Sequence, residues 1–297
     1  MKYNNYDIIK IYYSGYTVTS AYSCGGYQVF SGDTPLHKKL YYSGGYSGQT
    51  ITGDIDCNSS TTITLAETTA EQPDPNECFY RYAILGDCVT TIGEKAFSGE
   101  TCLMSIYMPE GLETIGNSAF TDCNYLRITN NVNMEDDTWY YETRFPDSIK
   151  TIGNYAFAGC GGINGGDVID PEYLHLPSEL TSIGNYAFSG NHIVWLEIPS
   201  KVASIGNFAF KDGINLKKVY IPTSVTSIGT GAFQNCSGLT SITINKLTPP
   251  SLGLTSQVRY TFEGSTCPIY VPASRVDTYK AADGWSYYAS RIQAIQT

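Results

Sequence analysis

The sequence has few of the residues that build metal or catalytic sites. Only 15% of its 297 residues are charged, and three are histidine: His37, His175 and His192. The histidines lack the His-Glu-x-x-His spacing and the nine cysteines form no Cys-x-x-Cys pair, so we expect no metal site. The chain also lacks a Gly-x-Ser-x-Gly motif and a Walker loop. We therefore predict a protein that is not an enzyme, with no catalytic residues and no cofactor.

Basic residues and long apolar runs are scarce as well. Lys and Arg total 18 against 28 acidic residues, and a formal charge of −10 disfavours a nucleic-acid partner. The sequence contains no run of 18 apolar residues, which predicts no membrane insertion. The first twenty residues lack the apolar core of a secretion signal. Together with nine cysteines, an odd number, this favours thiols made in a reducing compartment.

The chain is rich in glycine and tyrosine, and it repeats itself. The pattern Ile-Gly-x-x-Ala-Phe occurs six times, at residues 92–97, 115–120, 152–157, 183–188, 205–210 and 228–233. The basic period is 22 to 23 residues, and two of the units carry insertions. A period of this length predicts a stacked array of repeats, here called coils.

Each coil resembles a short apolar strand that ends in Ile-Pro, followed by a turn and a returning segment with Ile-Gly and Ala-Phe. Stacking such strands about 4.8 Å apart aligns every Ile and Phe and pairs the backbone groups of neighbouring coils. The glycine allows a close approach that a Cβ would block. The repeated residues are thus predicted to be a folding device.

The pattern Leu-x-x-Ile-x-Ile-Pro-x-x-Val-x-x-Ile-Gly-x-x-Ala-Phe-x-x-Cys resembles the BspA-type leucine-rich repeats of gut Bacteroidales and their phages. The resemblance covers residues 78–252, and residues 267–295 are similar to the segment that closes such arrays. It implies a β-rich solenoid with short helical or 3-10 turns.

Three parts follow from this pattern. Residues 1–76 are predicted to be a tyrosine-rich β module and linker, residues 77–252 the six repeats, and residues 253–297 a C-terminal cap. In the cap, apolar spacing predicts two short helices at 276–282 and 285–295. The module has two open roles, docking on a larger assembly or capping the first repeat.

Cys123, Cys160 and Cys236 all stand three residues after a repeat Phe, where we expect small, buried thiols between coils. The acidic insertion at 133–144 includes Asp136, Asp137 and Trp139. It is interpreted mainly as a solvated loop, and binding of a cation or partner is the alternative. The glycine-rich stretch at residues 159–166, which overlaps the 161–170 insertion, is interpreted as a flexible turn.

The residues that vary between coils are the candidate site, because side chains alternate along a strand. One column holds Ser105, Tyr173, Trp195, Lys218 and Ser241, and the other holds Tyr107, His175, Glu197, Tyr220 and Thr243. The predicted binding residues are Tyr107, Tyr173, His175, Trp195, Glu197, Lys218 and Tyr220. Aromatic and charged groups on a rigid sheet suit a protein or glycan receptor, although Tyr and Thr also simply favour strands. An exposed Trp195 favours binding.

Two functions are consistent with these features. The first is a structural and recognition component of a phage virion, such as a fibre, decoration or receptor-binding protein, made in the host cytoplasm. Residues 1–76 would then contact other virion proteins. The alternative is a bacterial cell-surface adhesin of BspA type, exported by an unrecognised route. A homo-oligomer is compatible with both.

Overall fold

The computed structural model describes residues 90–296 except 102, 104, 130–143, 164–172 and 254–259, and it describes short strands before residue 90. Before residue 90 the strands are β1 (Lys2–Tyr3), β2 (Tyr6–Asp7), β3 (Tyr12–Tyr13), β4 (Tyr16–Thr17), β5 (Ser20–Ser23), β6 (Tyr27–Phe30), β7 (Leu40–Ser43), β8 (Thr62–Ile63) and β9 (Tyr82–Ile84). From residue 90 they are β10 (Thr91–Ile92), β11 (Ser105–Tyr107), β12 (Thr114–Ile115), β13 (Arg127–Thr129), β14 (Thr151–Ile152), β15 (Tyr173–Leu174), β16 (Ser182–Ile183), β17 (Trp195–Glu197), β18 (Ser204–Ile205), β19 (Lys218–Ile221), β20 (Ser227–Ile228), β21 (Ser241–Ile244), β22 (Ser251–Leu252), β23 (Ile269–Val271) and β24 (Ile292–Ala294).

Parallel pairing between coils builds the predicted β-rich solenoid, which is confirmed. Sheet 1 has eight strands in the order β22-β20-β18-β16-β14-β12-β10-β8. Sheet 2 has six, β15-β17-β19-β21-β23-β24, and sheet 3 has three, β13-β11-β9. Neighbouring strands in sheet 1 pair residue for residue, so that Ile183 aligns with Ile152 and Ile205. Each coil therefore contributes the same residues to the same column.

The N-terminal strands pair differently from those of the coils. β1 pairs with β2, β3 pairs with β4, and β5, β6 and β7 form a sheet, all antiparallel. Strand β8, from the predicted N-terminal module, instead pairs in parallel with β10 of sheet 1. The ladder of the array thus includes a strand that lies before the predicted boundary at residue 76.

A column of stacked phenylalanine rings fills the core beside the sheets. Ring centroids in successive coils lie 5.1 to 5.8 Å apart, from Phe97 through Phe120, Phe157, Phe188, Phe210 and Phe233 to Phe262. Six of these rings belong to the predicted repeats. Phe262 adds a seventh rung that the sequence pattern did not predict.

Glycine and cysteine keep the coils close together, as predicted. A Cβ at Gly184 would lie 2.5 Å from the carbonyl carbon of Gly153 in the preceding coil, so a larger residue cannot fit without a shift. Cys123, Cys160 and Cys236 are fully buried free thiols. Each Sγ donates to the carbonyl oxygen of the repeat Phe one coil earlier, at 2.9, 2.9 and 3.2 Å. The predicted packing of the thiols between coils is confirmed.

The C-terminal segment covers the last coil. Helix α1 (Val276–Ala281) follows a short 3-10 helix at Ala273–Arg275, and a second 3-10 helix spans Trp285–Arg291. Trp285 Nε1 donates to the Pro250 carbonyl at 2.7 Å, and the Tyr279 hydroxyl donates to the Lys246 carbonyl at 2.9 Å. These bonds fix two buried aromatic rings on the final coil.

The predicted helix at 285–295 is wrong in its last four residues. The chain leaves the 3-10 helix after Arg291 and continues as β24, which pairs in parallel with β23. Ile292 is buried and Gln293 is exposed, a strand-like alternation. Pairing with β23 satisfies backbone groups at the end of sheet 2.

Candidate functional site

The register of sheet 2 aligns most of the predicted binding residues. Tyr173, Trp195, Lys218 and Ser241 pair in sequence across four strands. In the second column Glu197, Tyr220, Thr243, Tyr270 and Gln293 follow one another in the same way. Leu196 and Val219, between the columns, are buried. The two columns therefore form the outward face of sheet 2, here called the strand face.

Tyr107 does not lie in these columns. It belongs to β11 of sheet 3, where it pairs with Thr129 and Ile84. The expectation that Tyr107 and His175 share one column is corrected, because the sheet that holds Tyr107 ends at β13. His175 instead forms an isolated parallel β-bridge with Arg144. Asp136, Asp137 and Trp139 lie outside the described residues.

Two contacts hold aromatic groups of the strand face in place. Lys218 Nζ lies 4.9 Å from the centroid of the half-buried Trp195 ring in the neighbouring strand. Asn245 Nδ2 donates to the Tyr220 hydroxyl at 3.3 Å. Glu197 and Lys218 are exposed on adjacent strands. The face thus presents ordered rings together with charges of both signs.

The structure shows a second variable surface, at the turn after sheet 1. The second x of each Ile-Gly-x-x-Ala-Phe copy has a left-handed backbone, with φ between 52° and 62°. These residues, here called the turn column, are Lys95, Ser118, Tyr155, Tyr186, Phe208 and Gly231. This conformation turns the amide toward the next coil, so that Tyr155 N donates to the Asn185 carbonyl at 2.8 Å.

Three aromatic residues of the turn column stack on one another, and we call them the aromatic stack. The Tyr155 and Tyr186 centroids are 4.7 Å apart with rings 5° from parallel, and Tyr186 and Phe208 are 4.8 Å apart. A left-handed non-glycine residue costs about 1–3 kcal/mol, whereas a stacked pair contributes about 0.5–1.5 kcal/mol. Two stacked pairs do not offset three such residues, and Gly231 shows that the coil needs no ring there. Stacking alone does not explain why aromatic residues occupy these positions.

An asparagine ladder runs beside the aromatic stack, at the first x of each copy. Each Oδ1 accepts the backbone N–H of the equivalent residue one coil later, at 2.7 to 2.9 Å. The ladder residues are Asn117, Asn154, Asn185 and Asn207. Within the described part of the chain, the carboxamide NH₂ of Asn154 donates to no protein group. The ladder therefore fixes each asparagine side chain through its Oδ1 and leaves the Asn154 NH₂ group able to bind other partners.

Burial shifts the pKa of titratable groups in the described structure toward their neutral forms. Burial raises the pKa of Cys160 well above its ordinary value and raises that of Cys236 to about 12, so both thiols stay protonated near neutral pH. Burial also raises the pKa of the Glu100 carboxyl. Among the described residues there is no group of three side chains suited to a metal ion. The described helices are also too short or too polar to cross a membrane.

Comparisons with known proteins agree with the repeat pattern. The family model described as "BspA type Leucine rich repeat region (6 copies)" matches residues 56–142, 74–164 and 169–266. A comparison with curated proteins found no match.

Several solved structures are similar to the chain. A leucine rich repeat protein of T. pallidum shares 23% identity with a TM-score of 0.48, covering 62% of this chain and 78% of its own. A leucine-rich repeat protein of Bacteroides ovatus shares 21% identity with a TM-score of 0.49, covering 83% of this chain and 58% of its own. A leucine rich cell surface protein of Faecalibacterium prausnitzii shares 18% identity with a TM-score of 0.36, covering 79% of this chain and 73% of its own.

Proposed function

Because the chain belongs to the BspA type leucine rich repeat family, we propose that it is a non-enzymatic recognition protein that binds a protein partner through its strand face. One observation carries this proposal. The Trp195 ring is held under Lys218 Nζ at 4.9 Å, on an outward face whose inward side chains are buried. Trp195 is half-buried rather than exposed as predicted, and a fixed, partly buried indole of this kind is a typical anchor of protein interfaces.

Preorganisation supports binding by this face. Side chains that are already ordered lose little freedom when a partner docks, so more of the contact energy becomes affinity. Lys218 orders Trp195, and Asn245 orders Tyr220. The parallel backbone pairing beneath them keeps the columns rigid.

The charge pattern favours a protein over a glycan on this face. Glu197 and Lys218 are both exposed, on adjacent strands, and Tyr220 and Thr243 lie beside them in the register. A partner that matches both signs together with aromatic rings is most readily another protein surface.

Photocrosslinking tests the proposal in the cells that produce the protein. Benzoylphenylalanine at position 243, between the Tyr220 and Tyr270 positions, should crosslink a defined protein, which mass spectrometry then identifies. The same probe at Ser204, on sheet 1, is the matched control. Identical crosslinks from both positions, or none from position 243, would contradict binding by the strand face.

The identified partner then allows a quantitative test. The double variant Trp195→Ala/Tyr220→Ala should bind it at least about tenfold more weakly, because central aromatic residues carry much of the binding energy. The control Ser182→Ala/Ser204→Ala changes the outward side of sheet 1 and should bind as the wild type does. Circular dichroism checks that both variants are folded.

We propose that the protein acts as a component of a phage virion, as predicted from the sequence. The alternative is a cell-surface adhesin. Mass spectrometry of purified phage particles should detect the chain in the first setting. Protease treatment of intact cells should release its peptides in the second. In the virion setting we also propose that residues 1–76 contact other virion proteins. A homo-oligomer of the chain is proposed for either setting, and the same samples test both points.

A further inference from the structure

The two ends of the aromatic stack are covered differently. A Cβ at Gly231 would lie 2.3 Å from Phe208 Cε1, so the backbone of that coil covers the outer face of Phe208. At the other end the next position of the turn column is Ser118, whose side chain is too short to cover a phenol ring. Tyr155 is accordingly 43% exposed, whereas Tyr186 and Phe208 are less so. The outer face of Tyr155 is the uncovered aromatic surface of the stack.

Among the described residues, the groups of the neighbouring coil beside this face are polar and uncharged. Ser118 N donates to the Asn154 carbonyl at 2.7 Å, which places the Ser118 backbone next to the Tyr155 coil. Asn117 Oδ1 accepts the Asn154 amide at 2.9 Å. On this side the next turn-column position is Ser118, and Lys95, the nearest charged residue of the column, lies one coil further. The adjacent described groups therefore suit a ligand without charge.

We propose that the Tyr155 face is a carbohydrate-binding site that takes a neutral pyranose ring. The sugar ring stacks on Tyr155 in the space above Ser118, where the next aromatic ring of the stack would otherwise lie. The face of an aromatic ring is electron-rich and attracts the C–H groups on the flat side of a sugar. The Ser118 hydroxyl, which lies beside this space, both donates to and accepts from sugar hydroxyls.

This site is independent of the proposed protein interface. Tyr155 follows sheet 1 in its coil, whereas Trp195 lies in sheet 2. The strand face carries exposed charges of both signs, whereas the described groups of the coil next to the Tyr155 face, Asn117 and Ser118, are uncharged. A failure of one proposal therefore leaves the other standing.

Calorimetric titration of the full chain with maltohexaose, cellohexaose and mannohexaose tests the site. We expect saturable binding of at least one of these neutral hexasaccharides. Tyr155→Ala should weaken that binding about tenfold or more, because the stacking surface is lost. Tyr125→Ala is the matched control, since Tyr125 is 67% exposed outside the stack, and it should bind as the wild type does.

A second variant blocks the site without removing Tyr155. Ser118 already has a φ of 52°, close to the 56° of Tyr155, so Ser118→Tyr can extend the stack by one ring. That ring would cover the Tyr155 face, and binding should fall as in Tyr155→Ala while the unfolding temperature is kept or raised. The proposal is overturned if the wild type binds none of the three sugars. It is equally overturned if Ser118→Tyr, or Tyr155→Ala, binds as the wild type does.

Discussion

Replacing Phe188 by Ala removes the middle rung of the phenylalanine column. Phe188 is 1% exposed and stacks on Phe157 and Phe210 with centroids 5.4 Å away on each side. Phe145 contacts it edge-on at 6.3 Å. A buried Phe→Ala change costs about 3–5 kcal/mol, and the loss of three ring contacts places Phe188→Ala near 5 kcal/mol.

Urea unfolding followed by circular dichroism and by intrinsic fluorescence measures this loss. Phe208→Ala is the matched control, since it removes the same side chain from the next coil but at a half-buried position, where the ring stacks on one described ring, that of Tyr186. We expect it to lower the free energy of unfolding by about 1–2 kcal/mol. Equal losses for the two variants, or a loss below about 1 kcal/mol for Phe188→Ala, would refute the assignment of the column as the main core.

Three further predictions concern the contacts between coils. Gly206→Ala should sharply reduce the yield of soluble folded protein, because the new Cβ would lie 2.5 Å from the Gly184 carbonyl carbon. Gly190→Ala is its control, because a Cβ there would have no contact below 3.8 Å. Thermal unfolding should show that it costs only the strain of a φ of 73°, about 1–2 kcal/mol. The Cys236 thiol should resist iodoacetamide at pH 8 until urea unfolds the chain, as peptide mass spectrometry would show. Burial raises the pKa of this thiol in the folded protein to about 12, whereas in the unfolded chain it is about 8.5. The thiol therefore stabilises the fold fully below about pH 8.5, and this contribution should fall as the pH rises toward about 12. Cys236→Ala should remove that part of the decline in stability. Asn191→Cys should raise the free energy of unfolding by about 1 kcal/mol, since it removes a buried Oδ1 that has no partner in the described structure, and urea titration measures the gain.

The array could be predicted from the sequence because each repeated residue has one role in every coil. Ile183 and Phe188 both face the core, and their equivalents in the other copies are the same residue types. The seventh rung was missed because Phe262 follows Thr261 instead of Ala and is separated by several residues from Gly253. The strand β24 was missed because a short apolar alternation after a helical turn fits a helix end equally well.

The aromatic stack could not be predicted because residue type and backbone conformation disagree there. Left-handed positions normally carry Gly, Asn or Asp, and aromatic residues give no signal of a positive φ. Only the coil register shows that Tyr155, Tyr186 and Phe208 share such a position and therefore meet face to face. An alignment of the second x in the six copies would have placed these residues in one column, though without indicating which way they point.

The two variable surfaces can change independently because they occupy different positions of the same coil. Tyr186 and Trp195 lie nine residues apart in one unit, but one follows sheet 1 and the other belongs to sheet 2. Phe188 and Leu196, which are buried, belong to the shared scaffold and have little freedom to vary. Substitutions at distant sites without shared partners usually add in free energy. The double variant Tyr155→Ala/Trp195→Ala should therefore show the sugar-binding defect of the first change and the partner-binding defect of the second, each at its single-variant size.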